Sequence, residues 1–352
     1  MENRITIYDL SKQLGISTAT INRAFNPSAK IKSEKRKLIL ETAAKYGYSP
    51  NKIAAGLSRN PIKIGTILVD LIPAFYNELI KGIKSSHEEL LDLKVESVIR
   101  IINVNDNIEN IDHELIRVLD EFSEKKFDGI IINYPVASQS IQSYLNSIID
   151  NGIPIVTLNY ELSGIKRLFS SINNCRAAGR MAAQMLSFTS KGNQAVIFSG
   201  NMALENHQST IKGFREEAVK QSLELVGVYD NRDDPDLAYK NTEKVLKEHP
   251  NLNGIYINSA NSIPVCKRLE ELGRSGEISL VASDVFPELA SYISSRVVSA
   301  TIYQNPFMQA KNAFLNLYYH ITENRKIPER LMITPQIVIS SNIQMYLDVS
   351  VT

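Results

Sequence analysis

Tryptophan is absent from this 352-residue chain, and cysteine occurs only at Cys175 and Cys266. Two distant thiols make neither a disulfide framework nor a zinc site. They suit a reducing compartment, each as a small core residue. No stretch approaches the roughly 20 consecutive apolar residues that span a bilayer. No basic-then-apolar leader with a small-residue cleavage site is present, so a soluble cytoplasmic protein without a membrane partner is expected. The histidines, His87, His113, His207, His249 and His320, show no metal spacing. Phosphate loops ending Gly-Lys-Ser/Thr, HExxH and GxSxG are all missing. An enzyme would need a cofactor fingerprint or a nucleophile–base set and finds neither, so catalysis, a cofactor and a metal are not expected.

What is present is unevenly distributed. The overall charge is only +1, yet residues 1–61 carry +7 and leave −6 on the rest. A small basic head on a larger acidic body is the electrostatic footprint of nucleic-acid binding, although a merely solvated basic surface gives the same count. The length allows two or three domains with sizeable cores.

The head predicts short helices. Thr6 can cap the first, with Asp9 three residues on as a capping-box partner. Ile7, Leu10 and Leu14 then share one face. Gly15 turns the chain, since glycine tolerates positive φ. Ser17 is the cap for a second helix from Thr18 to Phe25, with Ile21, Ala24 and Phe25 inward and Thr18, Ala19, Asn22 and Arg23 outward. Two short helices on a glycine turn make a helix-turn-helix, and the second can lie in a major groove. Ser33 is expected to cap a third helix to about Tyr46, with Leu38, Ile39, Thr42 and Ala43 inward. Gly47 and Pro50 end it, and Asn51 to Leu57 can form a further short helix.

The run TIYDLSKQLGISTATINRAFN, followed by GYSPNKIAAGL and IGTILVD, resembles the lactose-repressor/galactose-repressor family of bacterial regulators. The resemblance implies residue roles. Thr6, Tyr8, Ser17, Asn26 and Asn51 match phosphate-contacting positions, and Thr18, Ala19, Asn22 and Arg23 match the base-reading face. Ala54 and Leu57 match a hinge whose leucine wedges into the minor groove. The chemistry is compatible, because Arg can be bidentate to guanine and an apolar wedge kinks DNA. Leu57 packing on the body as a linker residue remains the alternative. Ala55 stands where the family often carries Arg, Gln or Lys, and Gly56 lowers helix propensity by about 1 kcal/mol against Ala. The hinge is therefore expected to be non-helical until DNA binds.

From Pro61 onward the pattern changes. Strand candidates are 64–69, 95–101, 129–133, 155–158, 195–199, 224–228, 254–257, 278–282, 298–302 and 336–339. Helical stretches fall at 78–91, 114–125, 176–188, 210–221, 239–247, 264–272 and 306–321. Such alternation means parallel sheets with helices on both faces, over a length that suits two similar lobes with ligand between them. PAFYNELIKGI, FDGIIINYP, IKGFREEA, GIYINSANS, VASDVF and IYQNPFMQAKNA resemble the type I periplasmic sugar-binding fold. The expected fold class is thus an α helix-turn-helix head plus an α/β type I periplasmic-binding-protein-like body of two doubly wound parallel-sheet lobes. The expected domains are the head at 1–48, a hinge at 49–60 and an effector-binding and dimerisation body at 61–345. The N-lobe would take about 61–160 and 291–322, and the C-lobe about 161–290 and 323–345.

The family layout also implies an effector cleft. Asp284 matches the effector-binding aspartate, Asn258 and Gln304 match amide positions, and Phe75 and Tyr76 match a stacking position. Thr210 stands where many members carry arginine, leaving Asn206 and His207 to supply the polar contact. Asp284 as a helix cap, His207 as an ordinary satisfied histidine and Phe75 as plain core are the structural alternatives. The implied function is a ligand-responsive repressor of carbohydrate-utilisation genes, binding a pseudo-palindromic operator as a homodimer. The chain shows no leucine-heptad tail after the last strand candidate, which favours a dimer over a tetramer. A solute-binding protein without DNA function is the alternative.

Overall fold

In the computed structural model the described residues are 5–25, 29–48, 60–70, 73–103 and 108–347. The head begins with α1 (Ile7–Leu14), closed by a reciprocal capping box. Thr6 N donates to Asp9 Oδ2 at 2.8 Å and Asp9 N to Thr6 Oγ1 at 3.3 Å, so two otherwise orphaned amides are satisfied. The Thr6 hydroxyl, donating to Asp9 Oδ2 at 2.6 Å, and then the Thr6 N–H hold the Asp9 carboxyl below its ordinary pKa. Gly15 ends α1 at φ 62°, in the left-handed region. Ser17 Oγ accepts Thr20 N at 3.3 Å at the start of α2 (Thr18–Phe25). Leu10, Ile21, Ala24, Ile39 and Ala43 are buried as the head's core, with Ile7, Leu14, Phe25 and Tyr48 around them.

In α3 (Ser33–Lys45) two expectations are corrected. Ser33 is the first helical residue; Lys32 occupies the cap position and makes no side-chain bond there. Leu38 is 52% exposed rather than inward. The buried stripe runs through Ile39 and Ala43, four apart, and one residue's step of about 100° carries Leu38 off that face.

The body is two sheets. In chain order its elements are β1 (Ile62–Asp70), α4 (Pro73–Glu89), β2 (Val95–Asn103), α5 (Ile108–Glu124), β3 (Gly129–Asn133), α6 (Gln139–Asp150), β4 (Ile155–Leu158) and β5 (Phe169–Asn173). Then come α7 (Cys175–Thr189), β6 (Gln194–Ser199), α8 (Glu205–Lys220), β7 (Glu224–Asp230), α9 (Pro235–Glu248), β8 (Gly254–Ile257), α10 (Ser262–Glu271), β9 (Ser279–Ser283) and α11 (Pro287–Ser294). The last are β10 (Ala300–Tyr303), α12 (Pro306–Glu323), β11 (Arg330–Ile333), β12 (Gln336–Val338) and α13 (Gln344–Leu347).

The first sheet has the order β11-β5-β4-β3-β1-β2 and the second β12-β10-β9-β8-β6-β7. All pairings are parallel except β10 with β12. The central β3, Gly-Ile-Ile-Ile-Asn, is buried along its whole length, the signature of a parallel strand covered on both faces. Each sheet accordingly has two apolar layers. Phe122, Ile130 and Leu145 lie in one layer of the first lobe and Leu79, Ile131 and Phe314 in the other. In the second lobe Val196, Ile255 and Leu280 oppose Phe214, Tyr256 and Val281.

This is the doubly wound two-lobed body expected from the sequence, but the lobe limits differ. β5 pairs in the first sheet, β10 in the second and β11 in the first again. The chain therefore passes between lobes between β5 and α7, between β10 and α12, and between β11 and β12, each some ten to fifteen residues later than the family layout implied. At each passage the chain first completes a further strand of the sheet it is leaving, β5, β10 and β11 in turn.

Candidate functional site

The second head helix presents its chemistry outward. Ile21 and Ala24 are buried, while Ala19, Asn22 and Arg23 are exposed and Thr18 is half-buried. Thr6 and Ser17 are also exposed, and Tyr8 is 76% exposed. Helical spacing thus places Ala19, Asn22 and Arg23 on a free face of a basic unit. Asn26, Asn51, Ala54 and Leu57, like nearly all of the expected hinge, lie outside the described residues.

In the body, all eight sequence-predicted effector residues, Phe75, Tyr76, Asn206, His207, Thr210, Asn258, Asp284 and Gln304, line one pocket between the lobes. Helix α4 brings Phe75 and Tyr76 from the first lobe. The start of α8 brings Asn206, His207 and Thr210 from the second, and the ends of β8, β9 and β10 bring Asn258, Asp284 and Gln304. The carboxyl ends of parallel strands are where ligands bind in such sheets. A wider chamber of about 620 Å³ adjoins the pocket and shares Asn159, Tyr160, Cys175 and Asn206 with it.

Asp284 anchors the pocket. Its Oδ1 accepts Gln304 N at 3.1 Å and its Oδ2 accepts Gln304 Nε2 at 2.7 Å. Burial lifts its carboxyl to about 6, against the lowering effect of the Gln304 bonds. Its backbone sits at φ 64°, an uncommon conformation for a non-glycine residue. Thr301 Oγ1 donating to Asp284 O at 2.6 Å and Asp284 N donating to Ile302 O at 2.9 Å fix it there. The helix-cap alternative does not hold: α11 has Phe286 at its cap position. Gln304 in turn accepts Asn173 Nδ2 at 3.3 Å, so the pair is tied to the end of β5 in the other lobe.

Asn258 Oδ1 accepts both Gly200 N and His207 Nδ1, each at 3.1 Å. The backbone N–H fixes that atom as the amide oxygen, which makes His207 Nδ1 the protonated nitrogen. The Asn258 amide nitrogen is buried with no partner among the described residues, as is Asn173 Oδ1. Such atoms carry a desolvation penalty that a ligand can relieve. Thr210 Oγ1 donates to Asn206 O at 2.9 Å, so its donor is used within its own helix. Phe75 is both core and cleft, half-buried at the edge of an apolar layer and 5.9 Å edge-on to the Tyr76 ring.

Sequence reasoning missed Asn159, Tyr160, Cys175, Asp233, Ser259 and Ala260, which also line the pocket. Burial pushes the Cys175 thiol up to about 12, so it is inert as a nucleophile. Tyr160 is likewise raised, first by burial and then by the Asp233 charge. Among the described residues no group of metal-ligating side chains occurs.

A family model described as a periplasmic binding protein domain matches residues 64–325. Among curated proteins the chain is similar to Catabolite control protein A of Priestia megaterium, with 26% identity over 72% of this chain and 74% of that protein. It is also similar to the HTH-type transcriptional regulator DegA of Bacillus subtilis, with 27% identity over 64% of this chain and 62% of the relative. Among solved structures, GanP, a glucose-galactose binding protein from Geobacillus stearothermophilus, superposes with a TM-score of 0.70 at 20% identity, over 81% of this chain and 99% of that one. A periplasmic ribose ABC transporter protein from Conexibacter woesei gives 0.72 at 15% identity, over 83% and 96%. At these identities the structures speak to the fold of the body.

Proposed function

The chain belongs to the periplasmic binding protein domain family, as a member of the lactose-repressor/galactose-repressor regulators, and from that premise we propose that it is a ligand-responsive, sequence-specific DNA-binding repressor of carbohydrate-utilisation genes. The observation that carries this reading is the pairing of two sites in one chain. A basic head exposes Ala19, Asn22 and Arg23 on α2, and a body gathers Asp284, Asn258, Gln304 and their neighbours around one interlobe pocket. The proposed division is a head at 1–48, a hinge at 49–60 and a body at 61–345.

Two chains pair through their bodies and set one head on each half-site of a pseudo-palindromic operator. Thr6, Tyr8 and Ser17, with Asn26 and Asn51, hold phosphates, while Arg23 and Asn22 read base edges and Ala54 and Leu57 engage the minor groove. A sugar or sugar derivative closes the cleft by bridging the lobes, which rotates the lobe nearest the heads and alters their separation. Such a protein acts in the cytoplasm, and no helix among the described residues is long and apolar enough to cross a membrane. The solute-binding reading is the second, favoured by the likeness to sugar-binding structures. Fluorescence anisotropy with duplex DNA separates the two. The repressor is expected to bind with an affinity that falls steeply as salt rises; no salt-dependent binding would leave only the solute-binding reading.

A further inference from the structure

Resting on the reading of the interlobe pocket as the effector site, we infer that this pocket is built for a polyhydroxylated ligand bearing a protonated amine, an amino sugar or amino polyol, and that Asp233 holds the ammonium group. The charge of the lining is one-sided. Among the described residues two carboxylates, Asp233 and Asp284, line the pocket, and neither lysine nor arginine does. The arginines of the adjoining chamber are already bound: Arg176 Nε donates to Glu216 Oε2 at 2.8 Å and Arg330 Nε to Glu161 Oε1 at 2.5 Å. A phosphate or carboxylate on the ligand would meet like charge without a counter-ion in the pocket, whereas an ammonium would be drawn in.

Asp233 is placed for that role by the loop after β7. Arg232 and Asp233 both take positive φ, 52° and 57°, in the turn after β7, and Asp233 lines the pocket. Asp233 Oδ2 accepts Asn201 N at 3.1 Å, which orients the carboxylate. Its Oδ1 is buried and has no hydrogen-bond partner among the described residues. A carboxylate oxygen out of water with nothing donating to it is costly unless a ligand supplies the donor. Gly200 makes the approach possible: a Cβ there would lie 2.4 Å from Asp233 Oδ1 and 2.7 Å from His207 Cε1. With its proton on Nδ1, His207 presents Nε2 as a further acceptor when neutral. The start of α8 does not offer an anion site in compensation, because His207 N already donates to Asn206 Oδ1 at 3.0 Å and Glu205 stands in its first turn.

The lining is therefore rich in acceptors around Asp233. An ammonium has three donors and no acceptor, while a hydroxyl has one donor and must itself be satisfied as an acceptor. Asp284 and the Asn258 amide nitrogen then serve the ligand's hydroxyls. Phe75 and Tyr76 supply aromatic surface opposite them.

Calorimetry of the full-length protein with matched sugars tests this. The probes are glucosamine, galactosamine and mannosamine, each beside its neutral hexose, its N-acetyl derivative and its 6-phosphate. At least one amine is expected to bind roughly ten-fold or more tightly than its neutral and N-acetyl counterparts, as the loss of a charged hydrogen bond implies. In Asp233→Asn that preference should disappear, and the 6-phosphates should bind worst. A neutral hexose binding as well as its amine, or a preference that survives Asp233→Asn, overturns the inference and leaves the sugar-effector reading standing. The wild-type comparison of amine with N-acetyl sugar decides the matter even if the variant misfolds. If no member of the panel binds, both the inference and the reading beneath it fall.

Discussion

Asp284 pays for its place in the pocket with its charge. Its carboxyl titrates at about 6 in the fold against an ordinary 3.8. Between those values the folded protein holds a proton that the unfolded chain has released. The contribution of this group to stability is therefore greatest below about pH 4, declines as pH rises to 6 and stays lower above, a difference of about 3 kcal/mol. Urea unfolding at pH 7.5 and pH 5 is expected to show a larger gain on acidification for the wild type than for Asp284→Asn; equal gains would remove Asp284 from the titration. Effector affinity should move the other way and weaken below pH 6, as the carboxylate loses its capacity to accept two hydroxyl donors. In the head, Arg23→Ala is expected to relax discrimination at one base position by roughly 1–3 kcal/mol while leaving non-specific binding largely intact. Competition anisotropy with operators varied one position at a time measures it. That eight predicted positions would line one pocket was legible because motifs such as VASDVF, GIYINSANS, IYQNPFMQAKNA and PAFYNELIKGI place Asp284, Asn258, Gln304, Phe75 and Tyr76, and Asn206, His207 and Thr210 just precede IKGFREEA. Asp233 was not, since its place depends on two left-handed residues in a loop without a motif.

Among the elements, the ones most easily read were those with continuous apolar runs. β3, β4 and β8 match the sequence expectation residue for residue, as Gly129–Asn133, Ile155–Leu158 and Gly254–Ile257. Two strands escaped. β5 reads Phe-Ser-Ser-Ile-Asn, yet Ser170 and Ser171 are fully buried. Thr157 Oγ1 donates to Ser170 Oγ at 2.7 Å and Ser171 Oγ to Gln309 O at 2.7 Å, so the polar strand is satisfied by neighbours distant in sequence. β11 is short, and Leu331 and Ile333 are only half-buried because it is an edge. The missed α6, with serine and glutamine through its first turns, buries only Ile141, Leu145 and Ile148. Helix pairing adds a test of its own. A Cβ on Gly82 of α4 would lie 2.3 Å from the Phe307 carbonyl oxygen of α12. Gly82→Ala must push the two helices apart, and a destabilisation of roughly 1–3 kcal/mol in a denaturant titration is expected.

For the whole molecule, the proposed coupling between cleft and heads is reciprocal by necessity. Whatever factor the effector applies to operator affinity, operator DNA must apply to effector affinity. Calorimetry of the effector with and without saturating operator should return the same ratio as anisotropy of the operator with and without effector. Unchanged affinities in both would refute the coupling while leaving DNA binding intact.

The three passages of the chain between lobes carry a consequence for biosynthesis. α12 lies against α4 and the first sheet, and β11 completes that sheet beside β5. During translation the first sheet therefore waits for residues that emerge only after the whole second sheet except β12 has been made. Until then the layer that holds Leu79 and Ile131 lacks Ala310, Ala313, Phe314, Leu317 and Tyr318, the part that α12 supplies. That interval is when exposed apolar surface favours aggregation and chaperone capture. The two lobes are thus spatially distinct and yet mature almost together, late in synthesis, while the head, whose core draws only on residues near the start of the chain, is free to fold on its own long before them.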